Sequence, residues 1–147
     1  QKRIRSWTYC GGQDFPILPV SQNAKTVPHA LFTRLVMQED DWLQVYRRYA
    51  EQKESTVLSK VQVNPGAVGY VGPRYTGRRV KILAVEGIEY TKENIRSGKY
   101  PLSADVFFVT KGCPKTGSSL KVFLDFSISQ AGRKIIENKG FTPLTDQ

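Results

Sequence analysis

One place where residue types could do chemistry is a helix start around Thr26. Thr26 can cap that helix, and Pro28 falls in the first turn, where its missing N–H costs nothing. Lys25 adds a cation beside the cap, and His29, the single histidine, lies one position further in. The first N–H groups of a helix lack intrahelical partners, and the aligned peptide dipoles place about half a positive charge there. Such a start can stabilise an oxyanion without a metal. The plainer reading is a capped helix with no ligand and a histidine on the helix face. His29 has no nucleophile or carboxylate at a fixed place nearby to make an acid–base dyad.

Other chemistries find less support. Glu86, Glu89 and Asp125 are dispersed and form no acid–base pair. Gly66, Gly69 and Gly72 fit neither of the glycine patterns that cradle nucleotide phosphates, so Gly69-Tyr70 reads as a packing feature. With one histidine and no Cys-x-x-Cys, no zinc site is expected, and no cofactor is implied.

The chain of 147 residues has the size of one domain, 1–147, able to bury a core without staples. Its apolar runs are a few residues long, far short of the roughly 20 that cross a bilayer. A net charge of +9 and a pI near 9.7 suit an anionic partner. The charge is nonetheless spread over Lys2-Arg3-Arg5, Arg47-Arg48, Arg74, Arg78-Arg79, Lys81, Lys111 and Lys115, with Tyr75 the only aromatic near the densest group. Nucleic-acid surfaces interleave bases with stacking aromatics, so a solvated basic surface is expected and no nucleic acid.

The elements that must position Thr26 and its neighbours follow from the pattern. A short strand is expected over 16–20, then a helix with Leu31, Phe32, Leu35 and Val36 as its apolar stripe. A second helix opens at Asp40-Asp41, with Trp42, Val45, Tyr46 and Tyr49 at helical spacing. A third spans 55–63 and stops at Asn64-Pro65-Gly66, followed by a strand over 67–71 and a turn over 73–77. Strands are expected over 80–85 and, buried, over 106–110, with helices over 91–97, 118–127 and 129–138 and a left-handed stop at Gly140. The alternation predicts an α/β fold with a mixed sheet.

Several of these segments also carry a family likeness. Ile4-Arg5-Ser6-Trp7, Gly11-Gly12, residues 64–70 (Asn-Pro-Gly-Ala-Val-Gly-Tyr), residues 98–102 (Gly-Lys-Tyr-Pro-Leu), residues 122–126 (Val-Phe-Leu-Asp-Phe), Gln130-Ala131-Gly132 and residues 140–144 (Gly-Phe-Thr-Pro-Leu) form an ordered series over nearly the whole chain. The series resembles the carboxy-terminal half of the phosphate-binding, periplasmic substrate-binding proteins of ABC importers. That resemblance implies a three-layer α/β lobe with a mixed sheet flanked by helices. It also implies a non-enzymatic protein, periplasmic or extracellular, that binds inorganic phosphate or another oxyanion for transport or sensing and has an ABC permease as partner.

In that family the strand-to-helix turn reads Arg-x-x-x-Ser-Gly-Thr. Here Gln22 stands for the arginine, Thr26 for the serine, and Val27-Pro28 for Gly-Thr. Gln22 offers no cationic fork, Val27 crowds the backbone and Pro28 removes a donor. The candidate anion-binding set is therefore Gln22, Lys25, Thr26, Val27 and His29, with Lys25 restoring a charge, and a weak or altered site is expected. The alternative is a protein-interaction or scaffolding module on the same fold, its anion site lost. The family's other lobe comes from sequence that would precede Gln1 and has no match here. If the chain is exported, Cys10 and Cys113 could be bridged or remain two thiols. The apolar faces of the last two helices, with Phe123, Phe126, Ile135 and Ile136, are expected to be buried, and a homo-oligomer or partner contact is expected near residues 141–144.

Overall fold

The structure is a computed structural model that describes residues 4–37, 50–51, 53–75 and 79–143. The helix expected from Asp41 and the contact expected at Leu144 lie outside the described residues. The chain divides into two compact units, Gln1–Ile82 and Leu83–Gln147.

The first unit is built on a three-stranded sheet with β1 (Leu18–Gln22) in the centre, β2 (Ala50–Glu51) on one side and β3 (Ala67–Gly69) on the other. Both pairings are parallel, with Ser21 opposite Ala50 and Leu18 opposite Ala67. Among the described residues antiparallel pairing is confined to two isolated bridges, Ser6 to Pro16 and Val85 to Ile88. Parallel strands need a crossover, and α2 (Glu54–Val63) supplies the one between β2 and β3. Among the described residues, Val57 and Leu58 of α2 join Val20 and Met37 as the buried apolar side chains of this unit. The helix after β1, α1 (Val27–Phe32), starts where the sequence predicts, with Thr26 as its cap and Pro28 in its first turn. It continues into a π-helical turn over Thr33–Met37.

Two glycines let β3 and the turn before it come this close. A side-chain carbon at Gly66 would collide with the Pro16 carbonyl, and one at Gly69 would sit 2.7 Å from Val57 Cγ1. The Gly66 carbonyl accepts hydrogen bonds from the Leu18 N–H and the Trp7 indole Nε1–H, each at 2.9 Å. Gly72 is tied to the start of α2, its N–H donating to the Glu54 carboxylate.

The second unit is helical where its caps are strong. Thr91, Ser118 and Ser129 each accept a backbone N–H in the first turn of α3 (Lys92–Arg96), α4 (Ser119–Ile128) and α5 (Gln130–Asn138) respectively. Ser129 also ends α4, donating its N–H to the carbonyls of Asp125 and Phe126, so α4 and α5 share one corner. Gly132 is required there because a Cβ would strike the Phe126 carbonyl. Gly140, at φ 88°, closes α5 as expected. Glu137 of α5 pairs with Lys92 at 3.1 Å and Arg96 at 3.8 Å, holding α3. Tyr100 is buried edge-on to Tyr90, with ring centroids 5.3 Å apart. Burial raises both phenol pKa values above 10.0, and for Tyr90 repulsion from Tyr100 adds to it.

Three expectations are corrected. Residues 80–85 form no strand; Val85 and Ile88 exchange backbone hydrogen bonds at 3.0 and 2.9 Å across Glu86 and Gly87, both with positive φ. That is a tight reverse turn, which breaks the run before it can pair. Residues 106–110 form neither a strand nor a buried segment. Phe123, Phe126 and Ile135 are exposed rather than buried, because none of the described residues covers them. Cys10 and Cys113 are exposed free thiols.

Replacing Gly66 with alanine is expected to destabilise the first unit by about 2 kcal/mol or more, because the Pro16 backbone must move. Urea unfolding followed by Trp7 fluorescence checks it, and an unchanged midpoint would contradict the packing described.

Candidate functional site

Side chains alternate along β1, so Leu18, Val20 and Gln22 point to one face and Pro19 and Ser21 to the other. Gln22, at the carboxyl end, is 1% exposed. An amide so buried costs free energy unless it is paired. Its Nε2 donates to the Tyr70 carbonyl at 2.7 Å, while Oε1 has no protein partner. Tyr70 directly follows β3, and because β1 and β3 are parallel their carboxyl ends coincide. The crevice outside such ends is where open α/β sheets take ligands.

The Tyr70 ring lies flat on Phe32 of α1, with centroids 4.2 Å apart and planes 7° from parallel. This places its hydroxyl among three partners: the Gln22 N–H at 3.3 Å, Ser21 Oγ at 2.7 Å and His29 Nδ1 at 2.8 Å. A phenol has one proton and two lone pairs. Gln22 N–H occupies one lone pair. Of Ser21 and His29, one therefore accepts the phenolic proton while the other donates. His29 can meet a ligand only through Nε2.

The start of α1 is largely committed. Thr26 Oγ1 donates to the Asn23 carbonyl at 2.9 Å and accepts the His29 N–H at 3.4 Å. Asn23 Oδ1 accepts the Lys25 N–H at 3.0 Å. Pro28 has no N–H, which leaves the Val27 N–H as the first-turn donor without an acceptor among the described residues. Lys25 and Val27 are exposed on the outside of the turn.

Of the five residues expected from sequence, the structure joins Gln22 and His29 through Tyr70, spends Thr26 on the cap, and leaves Lys25 and Val27 facing solvent. Ser21 and Tyr70 were not expected. The signal for Tyr70 was its place after a glycine-ended strand, but only the parallel pairing brings it to Ser21. Thirteen of the 22 basic residues but only six of the 13 acidic ones fall in Gln1–Ile82, so this unit holds most of the excess positive charge. Among the described residues no group of His, Cys, Asp and Glu could hold a metal, and no helix is long and apolar enough to cross a membrane.

Residues 1–131 match the sequence model of the PBP superfamily domain. The chain belongs to this family. Relatives include the phosphate-binding protein PstS of Bacillus subtilis, 30% identical over 98% of this chain and 47% of its own length. PstS of Borreliella burgdorferi is 24% identical over 94% of the chain and 52% of its own length. The chain thus spans about half the length of these curated relatives. Solved structures agree on the fold. A putative phosphate ABC transporter substrate-binding protein of Clostridium perfringens, crystallised with bound phosphate, matches 97% of this chain and 58% of its own at TM-score 0.74 and 24% identity. PstS from Borrelia burgdorferi matches the same share, and 59% of its own chain, at TM-score 0.72. The α/β lobe expected from sequence is therefore the fold of this PBP-family chain.

Tyr70→Phe keeps the stacking on Phe32 but removes the hydroxyl shared by Ser21, Gln22 and His29. We expect a loss of about 1–3 kcal/mol in unfolding free energy, the cost of stranding part-buried partners. Urea titration of the variant measures it; a change near zero would mean that water replaces the phenol.

Proposed function

We propose that this chain is a non-enzymatic solute-binding lobe for phosphate or a related oxyanion, used in transport or sensing outside the cytoplasm with an ABC permease as partner. The observation that carries this reading is the gathering of Ser21, Gln22, His29 and Tyr70 at the carboxyl ends of β1 and β3, beside the start of α1. Relatives named as phosphate-binding proteins and the positive bias of the first unit support it. An anion seated there meets the Val27 N–H, the Lys25 ammonium and His29 Nε2. This donor set is thin: Gln22 stands where a guanidinium fork would be, one first-turn amide is missing and another is capped. Binding is accordingly weak.

A second reading is a protein-interaction or scaffolding module, including self-association, with the anion site lost. The commitment of Thr26 to its cap and the buried, neutral Gln22 favour it.

Isothermal titration with orthophosphate at low salt separates the two. The first reading gives a Kd above about 0.1 mM, near −5 kcal/mol or weaker. Lys25→Ala then weakens binding by roughly 1.5- to 5-fold, as expected for an exposed charge. No heat at millimolar phosphate would overturn the binding reading in favour of the second. Micromolar affinity would overturn the donor accounting.

A further inference from the structure

The cluster of Ser21, Gln22, His29 and Tyr70 carries no fixed charge, but one of its members can acquire one. His29 is the single histidine of the chain, and histidine is the side chain whose charge ordinarily changes between pH 5 and 8. Its Nδ1 lies 2.8 Å from the Tyr70 hydroxyl, whose ring is stacked on Phe32, so the half-buried imidazole is held in place. The other ring nitrogen, Nε2, makes no hydrogen bond among the described residues.

Few charges face this imidazole. The elements packed chiefly on α1 are β1, which has no charged residue, and the π-helical turn, whose Arg34 is exposed. Lys25, ahead of the helix cap, is exposed too, and Tyr70 is the titratable group in contact. No carboxylate pairs with His29 among the described residues. An imidazolium here is left for a ligand to neutralise.

Proton uptake also sets the direction of the hydrogen bonds. A neutral imidazole has one N–H, so Nδ1 either donates to Tyr70 or accepts from it, whereas an imidazolium donates from both nitrogens. Once the His29 Nδ1–H and the Gln22 N–H fill both lone pairs of the Tyr70 hydroxyl, its proton goes to Ser21 Oγ at 2.7 Å. The Ser21 proton then turns to the Gln22 carbonyl at 3.4 Å. One arrangement remains, with the His29 Nε2–H as a charged donor.

We propose that His29 binds the anion as imidazolium, supplying the charge that Gln22 lacks, so that the site takes up a proton together with its ligand. This rests on the anion reading and adds proton coupling to it. The coupling is reciprocal: the proton tightens the anion, and the anion tightens the proton. Affinity is therefore greatest below the pH at which His29 titrates in the free protein, and is lost as pH rises through its titration in the complex.

Calorimetric titration of orthophosphate at about pH 5.5 and about pH 8, into the wild-type chain and into His29→Gln, tests the proposal. The variant keeps an amide for Tyr70 and never charges. Phosphate's own ionisation is common to both proteins, so the ratio of their affinities isolates His29. That ratio, wild type over variant, is expected to be roughly fivefold or more larger at the lower pH. In the wild type, the ring protons of the single histidine followed by NMR titrate at higher pH with phosphate than without. An equal ratio at both pH values, or a His29 titration that phosphate leaves in place, would overturn the inference while the anion reading stands. No phosphate binding at either pH would overturn both.

Discussion

The first unit depends on the close parallel approach of β1 to residues 66–70. Gly66 can touch the Pro16 backbone only because it lacks a Cβ, and its carbonyl then receives both the Leu18 amide and the Trp7 indole. Gly69 lets Val57 of α2 settle on the sheet. The same register carries Tyr70 to the end of β1, where its hydroxyl meets Ser21, Gln22 and His29. Each hydrogen bond contributes only about 1 kcal/mol net, but leaving Gln22 unpaired in its buried place would cost more. Fold and candidate site thus rest on one contact line.

That line also explains why the site differs from a simple helix-start anion trap. The dipole at the start of α1 remains, but Thr26 and Pro28 have used or removed all but the Val27 N–H of the first-turn donors that would express it. The polar weight has shifted to the sheet side, onto a neutral network centred on a tyrosine. A neutral network orients a ligand without contributing the long-range attraction of a cation. The surplus of basic residues in the first unit can supply that attraction, which salt screens within about 10 Å at 0.1 M.

Four of the described helices were legible because their starts are written locally, whereas α2 has Lys53 at its cap position and no side-chain cap. Thr26, Thr91, Ser118 and Ser129 each cap as their residue types suggest, and Gly140 takes the left-handed conformation that stops α5. β1 and β3 were legible for their placement between turn signals, although β1 runs two residues further than predicted and β3 stops sooner. Residues 80–85 end in a turn rather than a strand because Glu86 adopts positive φ, unusual for a residue with a Cβ, and among the described residues only Val85 pairs, with Ile88. Residues 106–110 were misread in a different way. Their composition suggests a buried strand, but among the described residues nothing pairs with them. Tyr70 escaped notice because its role depends on a pairing 48 residues distant, which no local pattern encodes.

In the proposed reading residues 21–29 and Tyr70 form one anion-responsive unit. Backbone amide NMR during an orthophosphate titration tests it most directly. Concerted shifts with a single midpoint are expected at Ser21, Gln22, Val27, His29 and Tyr70, with the second unit unmoved. Small shifts scattered over Arg74, Lys111 and Lys115, with residues 21–29 silent, would contradict it.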